Sequence, residues 1–273
     1  MIDIDAAIGF VVAKGDHVDR ARLSYLRTGA LPAEAVLERA ENGQAYNGGW
    51  PAFWAEQVAS VDATCFHLAE LDDLGALGRP SARRALDWLA TRQQANGLWE
   101  EDKSLAAVAP DWARPGDPEA ALYITANAAY WLTVAGLDAR SAGPLDERPG
   151  GAYAGMVVQA AEALREQVQP DGTMPTFLVA TWLTAAVLYR QDMFYESVRL
   201  HQRLIDRMPE LSAADAAWLA ASNRRVGVRD DDRLIITSML RLRELQRTDG
   251  GFTSDDGDAF DVHTTLMAIR ACR

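Results

Sequence analysis

Cysteine is scarce, with Cys65 and Cys272 the only two in 273 residues. Two thiols cannot build a disulfide framework, and no C-x-x-C pair is present to hold structural zinc. The G-x-G-x-x-G fingerprint and the P-loop are missing, so no nucleotide cofactor is signalled and no cofactor is expected. Basic residues are outnumbered, Lys+Arg 27 against Asp+Glu 39, and the net charge of -12 argues against nucleic acid as a partner. No charged or Ser-rich linker divides the chain, which favours one domain over 1–273. Asp3 and Asp5 precede the first short apolar run, the reverse of a secretory signal's basic start. No stretch looks close to the roughly 18 apolar residues that span a bilayer. A soluble, cytoplasmic protein without an integral membrane segment is expected, and a peripheral membrane contact is compatible with this composition.

What is present is a repeated punctuation of Gln, three residues, Gly, one residue and a large aromatic. It occurs as Gln44, Gly48 and Trp50, as Gln93, Gly97 and Trp99, and as Gln246, Gly250 and Phe252. The first two copies are 49 residues apart, from 44 to 93. Each stands between helical-looking stretches, so the unit is helix, tight turn, helix, and units of this size must stack to bury their apolar faces.

Helical periodicity runs throughout, and alternating strand patterns are almost absent. About twelve helices form six pairs: 3–14 with 17–27, 32–42 with 57–73, 80–95 with 119–136, 151–167 with 175–190, 194–207 with 212–226, and 232–247 with 259–272. The first member of a pair is amphipathic, as in Ala85, Leu86 and Leu89 against Arg83, Arg84, Asp87 and Arg92. The second is apolar or small nearly all round, as in Ala126–Leu132 and Thr181–Leu188, and such a helix must be covered on every side. Inner second helices ringed by outer first helices give an all-α, single-domain (α/α)6 barrel, a toroid whose inner helices open their N-terminal ends onto one mouth. Where the Gln-Gly-aromatic turn is lacking, Pro209 and Ser212 to Asp215 supply the stop and N-cap signals. The long connections 43–60, 96–118 and 248–260 would lie over one end, where long loops tend to carry function.

Arg84-Ala85-Leu86-Asp87-Trp88-Leu89 followed by Gln93, Gly97 and Trp99 resembles the QW motif of squalene–hopene and oxidosqualene cyclases. Gly250-Gly251-Phe252 through Asp261-Val262-His263-Thr264-Thr265 looks like the last repeats of protein prenyltransferase β subunits. The resemblance implies an α/α barrel whose inner ring holds an isoprenoid or another apolar chain. Two departures stand out. The D-x-D-D acid motif of class II cyclases is absent, and so is the Asp-x-Cys pair that helps bind catalytic zinc in the prenyltransferases, although His263 matches their His. No metal is therefore expected.

Asp261 and His263 stand where the last inner helix should begin, as an N-cap or as a general acid with its partner. Asp62, Cys65 and His67 open the second inner helix, and Asp16 and His17 the first. Ring closure would bring these three sites to one sector of the mouth, with Asp261 the first choice of acid, Asp62 the second, and His263 or His17 orienting the carboxylate. The structural alternatives are helix caps, a buried small thiol and core histidines. The acidic loop Asp255-Asp256-Gly257-Asp258 is a hard-cation candidate or a solvated turn. Trp50, Trp54, Tyr123, Tyr130, Trp182 and Trp218 are the expected apolar-substrate contacts, from a wider set with Phe53, Trp112, Trp131 and Phe177.

The expected function is a terpenoid-cyclase-like enzyme, an isomerase or lyase, that takes an apolar, isoprenoid-derived small molecule through acid–base cyclisation or isomerisation. The alternatives are a non-catalytic barrel that binds a lipid, an isoprenoid or a modified partner, and a prenyltransferase-β-like protein. A carbohydrate-active barrel would need two carboxylates flanking a sugar bond.

Overall fold

A computed structural model describes residues 2–142 and 151–273. Six helices form an inner ring: α2 (His17–Thr28), α4 (Val61–Asp73), α6 (Pro118–Ala142), α8 (Leu178–Arg190), α10 (Ala213–Arg225) and α12 (Asp261–Ala271). Each packs on the next in that order, and α12 returns to α2, so the ring closes. Outside it stand α1 (Ile4–Lys14), α3 (Glu34–Glu41), α5 (Pro80–Arg92), α7 (Ala154–Arg165), α9 (Phe194–Arg207) and α11 (Arg233–Leu245). The chain thus folds as an all-α (α/α)6 barrel.

Local chemistry sets the helix ends. Asp16 caps α2 by accepting from the Val18 and Asp19 amides, and Asp19 returns the bond to the Asp16 amide. Ser212 accepts from the Asp215 amide to start α10. Inner helices are apolar because both sides are covered: Ala180 through Leu188 of α8 is buried without a break. The stretch 118–138 of α6 is long and apolar enough to cross a membrane by length and composition, which the sequence reading had not found; 89% of it is buried inside the barrel. Its apolar surface is covered by protein.

The Gln-Gly-aromatic turns weld neighbouring pairs together. Gln44 Nε2 donates to Gly48 O and to Ser81 O of α5, both at 2.8 Å. Gln93 Nε2 repeats this with Gly97 O at 3.1 Å and Met156 O of α7 at 2.9 Å. One side chain therefore holds its own turn and the first turn of the next outer helix. The aromatic that follows is locked by the next inner helix: Trp50, Trp99 and Phe252 amides donate to the hydroxyls of Thr64, Thr125 and Thr265. A fourth turn of the same shape, at Gly172, escapes the pattern because Val168 and Met174 replace the Gln and the aromatic. There Arg199 of α9 reaches the Gln169 and Pro170 carbonyls in place of the glutamine. Glycine is required at these turns: Gly97 has φ +84°, and a Cβ there would sit 2.7 Å from the Gln159 carbonyl oxygen.

One element differs from expectation. The helix expected from 57 starts at Val61, and β2 (Ala55–Ser60) pairs antiparallel with β1 (Trp50–Ala52) before it. Ser60 ends the hairpin and caps α4, its hydroxyl accepting from the Ala63 amide, so helical geometry cannot extend further back.

At the C-terminal ends of the inner helices a buried ion cluster closes the barrel. Arg270 of α12 pairs with Asp72 and Asp73 of α4, and Arg225 of α10 pairs with Asp72 at 3.1 Å and Asp138 of α6 at 2.8 Å. Burial pushes the Asp72 carboxyl up, but Arg270 and Arg225 outweigh it and hold the group below its ordinary range.

Candidate functional site

The opposite end, where the inner helices begin, carries the acidic chemistry. Asp62 lies in the first turn of α4, two residues past the cap, and Phe66 follows one turn later on the same face. Phe66 is 55% exposed although it belongs to an inner helix, whereas its helix neighbours Cys65 and Leu68 are buried.

Asp62 is held from two further elements. Tyr123 of α6 donates its hydroxyl to Asp62 Oδ1 at 3.0 Å, and Trp112 of the 96–118 connection donates its indole N–H to Oδ2 at 3.2 Å. Asn127, one turn below Tyr123, points its amide at the phenol oxygen at 3.5 Å. Burial pushes the Asp62 carboxyl up, against the hydrogen bonds of Tyr123 and Trp112, which favour the anion. Burial, with the Asp62 charge added, drives the Tyr123 phenol and the Cys65 thiol well above their ordinary values, so both stay neutral. Asp62 retains some solvent-accessible surface. A carboxyl pushed up by burial, set among aromatic rings and still reachable has the makings of a general acid.

The other sequence candidates do not meet at this place. Asp261 faces the 248–260 connection, where it pairs with Arg247 and accepts from the Ser254 amide at 2.9 Å. Burial raises its carboxyl, yet the Arg247 guanidinium and the Ser254 N–H prevail and hold it below the usual range. It does not cap α12, which follows Phe260 without a side-chain cap. His17 is exposed on the outer side, 3.4 Å from Arg39 of α3. His263 and His67 are joined through α2: Arg22 Nη1 lies 3.1 Å from His263 Nδ1, and Arg22 Nη2 is 2.7 Å from Glu70. Glu70 in turn lies 3.1 Å from His67 Nδ1, close enough for an ion pair but off-line for a hydrogen bond. Among the described residues, no group of three His, Cys, Asp or Glu side chains is placed to hold a metal ion.

The aromatics divide by depth. Trp50 is buried in the wall, stacked on His67 at 4.8 Å between ring centroids. Trp54 is half-buried at the hairpin. Tyr123 meets Phe177 edge-on at 6.3 Å beside Asp62. Tyr130 sends its hydroxyl to Ser222 O of α10 at 3.3 Å, past the intervening α8, so its ring fills the middle of the barrel. Trp182 and Trp218 pack edge-on at 5.7 Å. A pocket of about 420 Å³ lies beyond the ion cluster, lined by Arg224, Arg225, Arg270, Arg273 and Asp230. Its arginines are spent on Asp72, Asp73, Asp138, Asp230 and backbone carbonyls. Sequence reasoning missed Trp112 and Glu101 as members of the Asp62 site, since no local pattern ties the 96–118 connection to α4.

No family model matches the chain, and no curated protein matches it. Solved structures do. A protein from Actinoplanes is 17% identical, covers 98% of this chain and 97% of its own, and superposes with a TM-score of 0.61. A variant of the type II terpene cyclase MstE from Scytonema, in complex with merosterolic acid A (product), is 16% identical over 98% of this chain and 94% of its own, with a TM-score of 0.57. Another MstE variant, in complex with geranylgeranyl dihydroxybenzoate (substrate), is 16% identical over 98% and 85%, with a TM-score of 0.53. Identity at this level establishes a shared fold.

Proposed function

We propose that the barrel binds an apolar, prenyl-derived molecule at its N-terminal mouth and that Asp62 protonates it. The observation that carries this reading is Asp62 itself, a carboxyl raised by burial, partly open and framed by Tyr123, Trp112 and Phe66. The substrate-bound and product-bound MstE structures on the same fold support the ligand class. An alkene would take the Asp62 proton into a new C–H bond and leave a carbocation. Tyr123 and Trp112 would hydrogen-bond the carboxylate left behind. Each aromatic face turned to the cation would stabilise it by about 0.5 to 2 kcal/mol. Loss of a proton from a neighbouring carbon, to Asp62 or to water, would complete a cyclisation or isomerisation. Asp261 is assigned instead to anchoring the 248–260 connection through Arg247.

A second reading has its own support: Tyr130 and Trp182 fill the middle of the barrel, which suits a shallow, non-catalytic binding site. The deciding experiment identifies lipid that co-purifies with the protein by native mass spectrometry. It then compares turnover of a geranylgeranyl-substituted aromatic acid by wild type, Asp62→Asn and Asp261→Asn. Loss of about two to four orders of magnitude in Asp62→Asn alone is expected for a general acid. Equal turnover in wild type and Asp62→Asn would remove Asp62 as the acid, and ligand capture without turnover would establish the binding reading.

A further inference from the structure

Glu101 stands beside the proposed acid and has no part in the chemistry above. It is 4% exposed, and each of its carboxylate oxygens meets a backbone amide that can only donate. Oε1 accepts from the Ser60 hydroxyl at 2.7 Å and from the Asp62 amide at 2.8 Å, and Oε2 accepts from the Val61 amide at 2.9 Å. These amides are orphan N–H groups at the start of α4, where the helix dipole also favours negative charge. A proton on Oε1 would displace one of its two donors, and a proton on Oε2 would weaken the bond from the Val61 amide. Asp62 is placed differently. The Trp112 indole can only donate to Oδ2, but the Tyr123 hydroxyl beside Oδ1 can donate or accept, so Asp62 has a partner in either protonation state. The Asp62 amide bonded to Glu101 keeps the two carboxyls close, and two like charges in a buried site disfavour each other.

We propose that Glu101 is a positioning residue that keeps the proton on Asp62. Pinned as a carboxylate by the first turn of α4, it makes a second negative charge at the mouth costly, and so holds the transferable proton on the carboxyl that a ligand can reach. This rests on the reading of Asp62 as the acid. The titratable groups that face Asp62 are Glu101 from the 96–118 connection, Tyr123 from α6 and Cys65 from α4 itself. Burial keeps the phenol and the thiol neutral, which leaves the two carboxyls as the groups between which a proton would be shared. Burial, with the Asp62 charge added, pushes Glu101 up against its three donors; the two backbone amides, which can only donate, are the geometric ground for placing the charge on Glu101.

Infrared spectroscopy of the unliganded protein at neutral pH tests the assignment directly. The carbonyl band of a protonated carboxyl should shift when aspartate is labelled with carbon-13 and vanish in Asp62→Asn. A band that shifts only with labelled glutamate would overturn the proposal. Replacing Glu101 by Gln should then lower the Asp62 titration midpoint by about one pH unit or more, as expected for a strongly interacting pair. An unchanged midpoint would also overturn it. If Glu101→Gln does not fold, Asp62→Asn supplies the same number, since coupling is reciprocal and the Glu101 midpoint must fall equally. No substrate enters these measurements. Failure here with turnover still lost in Asp62→Asn removes Glu101 alone, whereas wild-type turnover in Asp62→Asn removes the acid.

Discussion

Asp3 and Gln246 form a reciprocal pair across 243 residues: the Asp3 amide donates to Gln246 Oε1 and Gln246 Nε2 donates to the Asp3 carbonyl, both at 2.8 Å. The same amide nitrogen also donates to Gly250 O at 3.0 Å, as Gln44 and Gln93 do within their own turns. The third copy of the turn thus closes the ring by joining the last pair to the first.

Gln246→Ala should therefore loosen the closure. Net values of about 0.5 to 1.5 kcal/mol for each of the three hydrogen bonds lost give about 1.5 to 4.5 kcal/mol, read by urea unfolding. Amide exchange in α1 should accelerate more than in α6. Equal protection of α1 in variant and wild type would show that the seam is held elsewhere.

Trp99 is fully buried and its indole donates to the Leu89 carbonyl at 2.7 Å. Trp99→Ala should cost about 3 to 5 kcal/mol as a core truncation. Gly97→Ala should destabilise as well, since it combines a left-handed backbone with a Cβ pressed on backbone atoms. A loss below about 1 kcal/mol for Trp99→Ala, against that core-truncation range, would contradict this packing.

The Asp72–Arg270 pair should make the fold sensitive to acid. The folded carboxyl of Asp72 lies below its unfolded value, so its stabilisation is present above the unfolded pKa and is lost as pH falls through the folded one. Arg270→Ala should cost about 3 to 5 kcal/mol at neutral pH by leaving Asp72 and Asp73 short of a partner. Its acid unfolding should begin at higher pH. An acid transition that coincides with wild type would sever the cluster from the pH dependence.

Asp62 has the opposite sign. Its folded carboxyl lies above the unfolded value, so the folded state binds the extra proton and stability falls as pH rises through that interval. Asp62→Asn removes this penalty. Its melting temperature should equal or exceed that of wild type above the interval and approach or fall below it in acid. A variant less stable at neutral pH than in acid, relative to wild type, would refute the buried-acid description.

The ring was legible in the sequence because its causes are local. Three Gln-Gly-aromatic turns, the caps at Asp16 and Ser212, and alternating amphipathic and apolar helices each depend on residues a few positions apart. These suffice to specify units that can bury their faces only by stacking. The fourth turn at Gly172 stayed hidden because its clamp, Arg199, comes from another helix. The hairpin at β1 and β2 was hidden too, since three residues facing six leave no alternating pattern to read. Which carboxyl is pushed up and which is held down was decided by tertiary structure alone. Asp62 and Asp261 look alike in the sequence, each at the start of an inner helix. Helix rotation turns Asp261 to Arg247, a cation that holds it ionised, and turns Asp62 to Tyr123, Trp112 and a buried wall that offers no counter-charge. The ion cluster likewise joins Asp72 to Arg225 and Arg270 across 153 and 198 residues. Periodicity reports which face of a helix is buried; the partner it meets is set by how the helices pack.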